Sequence, residues 1–386
     1  MKAKEQIVDS TRAGPRLTYL CVVVGAILAA IVAILLGALA QGASASRAAL
    51  PLASIHTGSA PFAAAVNPTS GKVYVANFGS NDLTVVDGSS NAVTTVKVGV
   101  GPYAVAVNPV TNRIYVADHG SNSVTVIDGD TNVALTVRAG TSPNAVAVNS
   151  ITNRVYVTNF NSGDVTVIDG DTNVADNIGV GSYPYRIAVN PVANKVYVTN
   201  SGGDDVTVID GATSVTSTVG VGLYPEALAV NPATNKVYVA NNDGDSVTVI
   251  DGDTNRTVAV RVGAYPEAVA VNPVTNRVYV ANYGDNTVTV VDGLDHSTAS
   301  IAVGRYPEAV AVNPATNKVY VANYGDNTVT VVDGTDNSTW SVSVGDSPGA
   351  LAIDPVTNKV YVANWGSDSL TVIDGDADAA ANVETP

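Results

Sequence analysis

Three glutamates spaced 41 residues apart are candidates for binding chemistry in this chain of 386 residues. Glu226, Glu267 and Glu308 each follow a proline and precede a short apolar run. Carboxylate oxygens are hard ligands, so three of them brought together by a fold can hold calcium or another divalent metal. The spacing therefore indicates a candidate metal site, while our primary prediction is a protein without a cofactor.

Aromatic and basic side chains occupy equivalent positions in other copies of this pattern. In two copies the residue after the proline is Tyr103 or Tyr185, and Arg186 follows directly after the second. Aromatic rings beside carboxylates suit a carbohydrate, a cationic peptide or a metal, although solvated turn residues without a ligand would show the same variation. The predicted ligand-binding residues are Tyr103, Tyr185, Arg186, Glu226, Glu267, Tyr283, Arg305, Glu308, Tyr324 and Trp365.

A second candidate for calcium is the turn sequence DGDTN, which begins at Asp128, Asp169 and Asp251. Its oxygens at positions one, three and five resemble the start of a calcium loop. Val133 and Ala139, however, stand where a complete loop after Asp128 needs glycine and glutamate. Asp-Gly also favours a hairpin turn, so a simple turn is the alternative.

Other kinds of chemistry find little support in the sequence. The three histidines, His56, His119 and His296, lie in no recognisable motif, so no catalytic triad can be assembled. The single cysteine, Cys21, lies in the apolar N-terminal segment, which leaves the repeats without disulfides or cysteine-based metal sites. A net charge of −15 with no basic cluster outside the N-terminus argues against nucleic acid as a partner.

The elements that must position these residues come from a repeat of 41 residues. The copy that starts at Pro266 contains four apolar runs, EAVAV, RVYVA, TVTVV and TASIAV, separated by turn-forming sequences. Runs of this length and composition predict four strands, A to D, in an antiparallel meander. One tyrosine of strand B marks each of the eight copies: Tyr74, Tyr115, Tyr156, Tyr197, Tyr238, Tyr279, Tyr320 and Tyr361.

The register between strands B and C can be predicted from the charges. A hairpin over the short B-to-C turn sets Lys72 opposite Asp87, and a basic residue faces an aspartate at the same place in all eight copies. We expect these charge pairs to fix the register against a slip of one residue. The same register leaves both faces of every sheet apolar, so neighbouring repeats must cover them.

Sheets of this size that cover one another around an axis form an all-β fold, an eight-bladed β-propeller. The last repeat lacks a convincing strand D, and residues 50–58 match that strand in sequence. We predict that this N-terminal strand closes the ring; a seven-bladed ring with one repeat left over is the alternative. The D-to-A and B-to-C connections would share one rim, where a rigid frame carries variable loops.

The repeated strands also resemble a known family. KVYVAN, RVYVTN and KVYVTN, each followed by VTVID or VTVVD, look like the YVTN-type β-propeller repeat, and the resemblance runs from Ala60 to Gly375. It implies an exported or surface propeller, as in archaeal surface-layer proteins. Related propellers include lactonase-like enzymes and a streptogramin lyase, so the resemblance does not settle the activity.

The segment from Leu17 to Ala40 is uncharged and follows a stretch with a basic bias. It would span about 36 Å as a helix, enough for the core of a bilayer. We predict a basic-biased tail at 1–16, a transmembrane anchor or signal helix at 17–40, a linker at 41–49, and the propeller at 50–386. Small residues in ALAQGASA keep a cleaved signal peptide as the alternative. Blades are predicted to start near residues 61, 102, 143, 184, 225, 266, 307 and 348.

The predicted function is that of an exported, non-catalytic interaction or structural module of the cell envelope. Positive charge before the helix places the repeats outside the cytoplasm, anchored in the membrane through the N-terminal helix. An envelope protein or a glycan is the expected partner. The alternative is a metal-dependent lactonase-like or lyase-like enzyme with its site at the channel mouth, and a purely architectural surface-layer subunit is a third possibility.

Overall fold

The computed structural model describes residues 51–376, which form eight antiparallel sheets of four strands each. The prediction of an all-β, eight-bladed propeller is therefore confirmed, and the seven-bladed alternative is wrong. The predicted tail, helix and linker of residues 1–49 lie outside the described residues. Within residues 51–376 no helix is both long and apolar enough to cross a membrane.

The strands follow one another along the chain in the order A, B, C, D, blade by blade. The A strands are β2 Pro61–Asn67, β6 Pro102–Asn108, β10 Pro143–Asn149, β14 Pro184–Asn190, β18 Pro225–Asn231, β22 Pro266–Asn272, β26 Pro307–Asn313 and β30 Pro348–Ile353. The B strands are β3 Lys72–Asn77, β7 Arg113–Asp118, β11 Arg154–Asn159, β15 Lys195–Asn200, β19 Lys236–Asn241, β23 Arg277–Asn282, β27 Lys318–Asn323 and β31 Lys359–Asn364. The C strands are β4 Asp82–Asp87, β8 Ser123–Asp128, β12 Asp164–Asp169, β16 Asp205–Asp210, β20 Ser246–Asp251, β24 Thr287–Asp292, β28 Thr328–Asp333 and β32 Ser369–Asp374. The D strands are β5 Val93–Lys97, β9 Ala134–Arg138, β13 Ala175–Gly179, β17 Thr216–Gly220, β21 Thr257–Arg261, β25 Thr298–Ala302, β29 Thr339–Ser343 and, for blade 8, β1 Pro51–His56. Single 3-10 turns occur at Asn242–Gly244 and Trp365–Ser367.

The ring is closed by the N-terminal strand, as predicted. Strand β1 pairs antiparallel with β32, with Ala53 opposite Val372 and Ile55 opposite Leu370. Ile55 is buried in the cluster that joins the last blade to the first. The eighth sheet thus combines three strands from one end of the chain with one strand from the other.

Each hydrophobic cluster lies between two blades, because the sheets are apolar on both faces. Between blades 1 and 2, for example, Tyr74 and Leu83 of one sheet pack against Ile114 and Val116 of the next. The strand-B tyrosines of all eight blades are at most 1% exposed. Blade-to-blade packing is therefore the core of this protein, and no helix is needed to cover the sheets.

The predicted register is confirmed, and the opposite basic residue contributes to lowering the pKa of the aspartate, as Arg113 does for Asp128, but the hydrogen bonds of the two groups go elsewhere. Lys72 stands opposite Asp87 in the ladder, yet its Nζ donates to the carbonyl of Gly129 in the next blade at 2.6 Å. Asp87 instead accepts hydrogen bonds from Ser89 and Ser90 of its own C-to-D turn, which hold its pKa well below the usual range. The basic residue of strand B is thus a bridge between blades, and the aspartate caps a turn.

This bridge recurs at every blade junction, at donor–acceptor distances of 2.5 to 3.3 Å. Across the closure, Lys359 of blade 8 reaches the carbonyl of Gly88 in blade 1. A second set of hydrogen bonds joins the blades at seven of the eight junctions. In each, an asparagine at the end of strand A donates to an asparagine of the next blade, as Asn67 does to Asn112 at 2.7 Å. At the ring closure Asp354 and Gly71 occupy these two positions. The junction between blades 8 and 1 therefore lacks this asparagine–asparagine hydrogen bond.

Candidate functional site

One rim of the ring is built from the D-to-A and B-to-C connections, as predicted. The residue before each strand A has a left-handed backbone conformation and links two loops. The N–H of Tyr265 donates to Asp245 in the preceding blade at 3.2 Å, and its carbonyl accepts from the N–H of Tyr283 at 2.9 Å. The loops on this rim are therefore held together around the ring.

At this rim the channel opens into a cavity of about 810 Å³. Its wall consists of the first residues of the A strands, with alanines and larger aliphatic residues beneath the polar mouth. The predicted site residues that line it are Tyr103, Arg186, Glu267, Tyr283, Glu308, Tyr324 and Trp365. The structure thus brings most of the predicted residues into one cavity of the size of a small-molecule site.

Two other predicted residues adjoin this cavity, and one lies apart from it. The guanidinium carbon of Arg186 lies 4.5 Å from the ring centroid of Tyr185, and Glu226 lies beside Glu267, close enough for each carboxyl group to shift the pKa of the other. Arg305 points along the outer rim instead, where its Nε pairs with Oδ1 of Asp326 at 2.6 Å. The structure therefore gives Arg305 a role in holding two loops together.

Blades 5 to 7 form an acidic arc of half-buried carboxyl groups, Glu226, Glu267 and Glu308. Burial and the neighbouring Glu267 raise the pKa of Glu226 to about 8, although Arg186 opposes the shift. Burial and Glu267 likewise raise the pKa of Glu308 to about 7. Burial also raises the pKa of Glu267, against opposing effects of Arg186 and of hydrogen bonds from Glu226 and Asn242. Like charges in a partly dry site cannot all ionise, so the pair Glu226–Glu267 shares a proton near neutral pH.

Blades 8, 1 and 2, which follow blade 7 around the ring, form an aromatic arc. Phe62 lies at its centre, 4.1 Å from the ring of Tyr103 and 5.5 Å from that of Trp365. Phe78 and His119 extend the arc, at 5.9 Å from Trp365 and 5.4 Å from Tyr103. These centroid distances are those of packed aromatic groups. One side of the mouth is therefore apolar and aromatic, and the other is acidic.

The metal-ion hypotheses gain no geometric support. Within residues 51–376 no three His, Cys, Asp or Glu side chains are arranged to hold a metal ion. The DGDTN turns use their first aspartate as a cap: Asp128 Oδ1 accepts from the N–H groups of Asp130 and Thr131. Because that oxygen is committed to its own turn, the arrangement is that of an ordinary hairpin connection.

The structure also shows rim residues that the sequence reading missed. Four successive blades place a tyrosine in the left-handed position before strand A, at Tyr183, Tyr224, Tyr265 and Tyr306. Three of these precede the acidic arc directly, so the triplet Tyr-Pro-Glu recurs in blades 5, 6 and 7. The recurrence of this triplet is the feature of the sequence from which these tyrosines could have been predicted as rim residues. Tyr306 also stacks on Tyr283, with ring centroids 4.9 Å apart.

Comparison with known proteins identifies the fold and no family. No protein-family model matches the chain, and no curated protein matches it. Among solved structures, hydrazine synthase of Kuenenia stuttgartiensis is 18% identical with a TM-score of 0.60, covering 88% of this chain and 99% of that one. Virginiamycin B lyase of Staphylococcus aureus is 12% identical with a TM-score of 0.60, over 71% and 94% of the two chains. The dihydro-heme d1 dehydrogenase NirN is 15% identical with a TM-score of 0.67, over 86% and 76%. At such identities the likeness concerns the fold alone.

Proposed function

We propose that this chain is an exported binding propeller of the YVTN type, tethered to the membrane by residues 17–40, which holds an envelope ligand at its channel mouth without transforming it. The observation that carries the proposal is the two-sided cavity, acidic on blades 5 to 7 and aromatic on blades 8, 1 and 2. Most equivalent positions of the eight blades carry the same type of residue, but those at the channel mouth carry different types. Ligand recognition is expected at such variable positions on a rigid frame.

The binding part of the proposal can be tested by thermal unfolding of the full-length protein in a non-ionic detergent. Envelope glycans, peptides, small amines and divalent metals would be added one class at a time, against the wild type and the variant Trp365→Ala. We expect at least one class to raise the midpoint in the wild type only, because ligand binding stabilises the folded state. A panel without any such effect would contradict the proposed binding site.

Export can be tested separately, since it depends on the N-terminal segment. A reporter enzyme that is active only outside the cytoplasm, fused after residue 50, should be active, and deleting residues 17–40 should abolish that activity. Activity of a reporter that works only in the cytoplasm would oppose the proposed location.

A second candidate function is that of a lyase-like enzyme. The observation in its favour is the carboxyl pair, in which burial raises the pKa of both groups and that of Glu226 to about 8, as suits a general acid near neutral pH. The fold likeness to virginiamycin B lyase adds modest support. Incubation with virginiamycin B and simple lactones, followed by mass spectrometry, tests this function, with Glu267→Gln as the control; unchanged substrates would oppose it.

A further inference from the structure

We propose that the channel mouth binds an organic ammonium ion, with the charged nitrogen at the acidic arc and an apolar body on the aromatic arc. This inference rests on the proposed binding function and names its ligand class. Four features of the cavity support it: its charge, the rings that surround the carboxyl groups, the exposed tyrosines of the rim, and the apolar opposite wall.

The charge of the cavity calls for a cation. Within residues 51–376, Arg186 is the single basic residue among those that line it. Its charge acts on Glu226, Glu267 and Glu308 alike, but its guanidinium is stacked on Tyr185. One arginine for three carboxyl groups leaves negative charge once the shared proton is released. An anionic ligand is therefore disfavoured, and a cation would replace that proton.

Aromatic rings surround the carboxyl groups and favour an ammonium ion over a metal ion. Burial raises the pKa of Tyr283, and Glu308 adds to the shift, so this phenol lies within the field of the acidic arc. Glu226 acts on Tyr224 in the same direction. Ring faces attract alkylammonium groups, whereas divalent metals require a shell of oxygen ligands. No such shell of acidic groups exists within residues 51–376.

The left-handed tyrosines add partly exposed aromatic rings to the rim outside the lining of the cavity, where those of Tyr265 and Tyr306 lie over Gly284 and Gly325. Large side chains seldom adopt a positive φ, and the other blades use alanine, glycine or serine at this position. The four rings, those of Tyr183, Tyr224, Tyr265 and Tyr306, are 41–53% exposed, so burial does not offset the strain. In blades 5 to 7 this residue stands two positions before the glutamate, so it extends the aromatic surface of the rim next to the acidic arc.

The aromatic arc supplies the second half of the site. Phe62 and Trp365 line the same cavity as Glu267 and Glu308, and its volume is about 810 Å³. That volume accommodates a small amine whose apolar body reaches the aromatic rings. A neutral sugar would use those rings too, but it would gain little from three carboxyl groups. The charge therefore favours the amine.

Fluorescence of Trp365 can report binding at this place. The chain has two tryptophans, and Trp340→Phe leaves Trp365 as the sole tryptophan, which can be excited selectively beyond the absorption edge of tyrosine. The full-length W340F protein at pH 8 would be titrated with 2-phenylethylammonium, with neutral 2-phenylethanol, and with n-propylammonium, which lacks a ring. These probes separate the contribution of charge from that of the apolar body.

We expect 2-phenylethylammonium to bind with a Kd on the order of 1 mM, and both other probes to bind about tenfold more weakly. The triple variant Glu226→Gln/Glu267→Gln/Glu308→Gln should bind 2-phenylethylammonium about tenfold more weakly than the W340F protein does. Its affinity for 2-phenylethanol should be unchanged. The control Asp176→Asn, which removes one exposed carboxylate from β13, should change neither value.

Three results would overturn the inference: equal affinity for the amine and the alcohol, retention of amine binding by the triple variant, or no response to any probe. If another class in the thermal panel still raises the midpoint in the wild type only, the binding function survives and only the ligand class is wrong. If neither the panel nor the probes show binding, both proposals fail.

Discussion

Replacing Glu226 by glutamine should stabilise the propeller at alkaline pH and leave its stability nearly unchanged near pH 4, below the unfolded pKa of the carboxyl group. The folded protein raises the pKa of Glu226 from 4.5 to about 8, chiefly by burial and by the neighbouring Glu267. A group whose pKa is raised by folding adds stability below its unfolded pKa, and that stability is lost as the pH rises through the folded value. Glutamine stays neutral throughout and can still donate to Glu267.

The magnitude follows from the same shift. A difference of about 3.5 pKa units between the unfolded and folded states corresponds to about 5 kcal/mol if solvent does not screen it. Glu226 is only half-buried at a channel mouth, so water reduces the charge repulsion, and we expect a gain of about 2 kcal/mol at pH 9. The advantage of the variant should develop between the unfolded pKa of 4.5 and the folded pKa of about 8, and remain constant above that.

Urea unfolding of the full-length protein at pH 4, 7 and 9 measures this difference, and the free energies of unfolding are compared at each pH. Asp176→Asn is the matched control, because it removes the same formal charge from an exposed strand. The reasoning is refuted if Glu226→Gln is destabilising at pH 9, since that would mean that Glu226 is ionised and well paired there. A difference that does not vary with pH would refute it equally.

Three further predictions concern the ring. Arg154→Met should lower the free energy of unfolding by about 1–3 kcal/mol, because the Gly211 carbonyl loses a charged donor at 2.9 Å; Arg261→Met, on an exposed edge, should change it by less than about 0.5 kcal/mol in the same urea experiment. Ile55→Ala should accelerate hydrogen exchange in β1 more than Val96→Ala does in β5, although the two side chains are similarly buried, at 7% and 6% exposed. The reason is that no turn connects β1 to strand C of its blade, whereas a turn connects β5 to β4. Equal acceleration would contradict this. Tyr265→Gly should leave stability unchanged or raise it by up to about 1 kcal/mol, because glycine relieves the left-handed strain but adds freedom to the unfolded chain; a clear loss in urea midpoint would show that the ring has a structural role.

The blade itself could be predicted from the sequence, because its information is local. Alternating apolar residues, short turns and the opposition of Lys72 to Asp87 all lie within one repeat, and the structure reproduces that register. The number of blades and the closing strand followed from the same period, because an unpaired strand C needs a partner and residues 51–56 were the unused match.

Contacts between repeats could not be predicted in this way. The bridge from Lys72 to the Gly129 carbonyl spans 57 positions. Its acceptor is a backbone oxygen, which every residue has, so the sequence does not identify it. Likewise, nothing in the sequence separates Glu226, which meets Glu267 in the mouth, from Arg305, which turns outward to Asp326. Both are rim residues of equivalent repeats.

The sequence by itself therefore determined the repeating unit, its register and the closure of the ring. Only the tertiary structure decided which side chains meet between blades and across the channel, and hence where charge is buried. The physical reason is that strand pairing depends on neighbours within one 41-residue repeat. Burial and the pKa shifts it causes depend instead on the distances that the closed ring imposes between repeats.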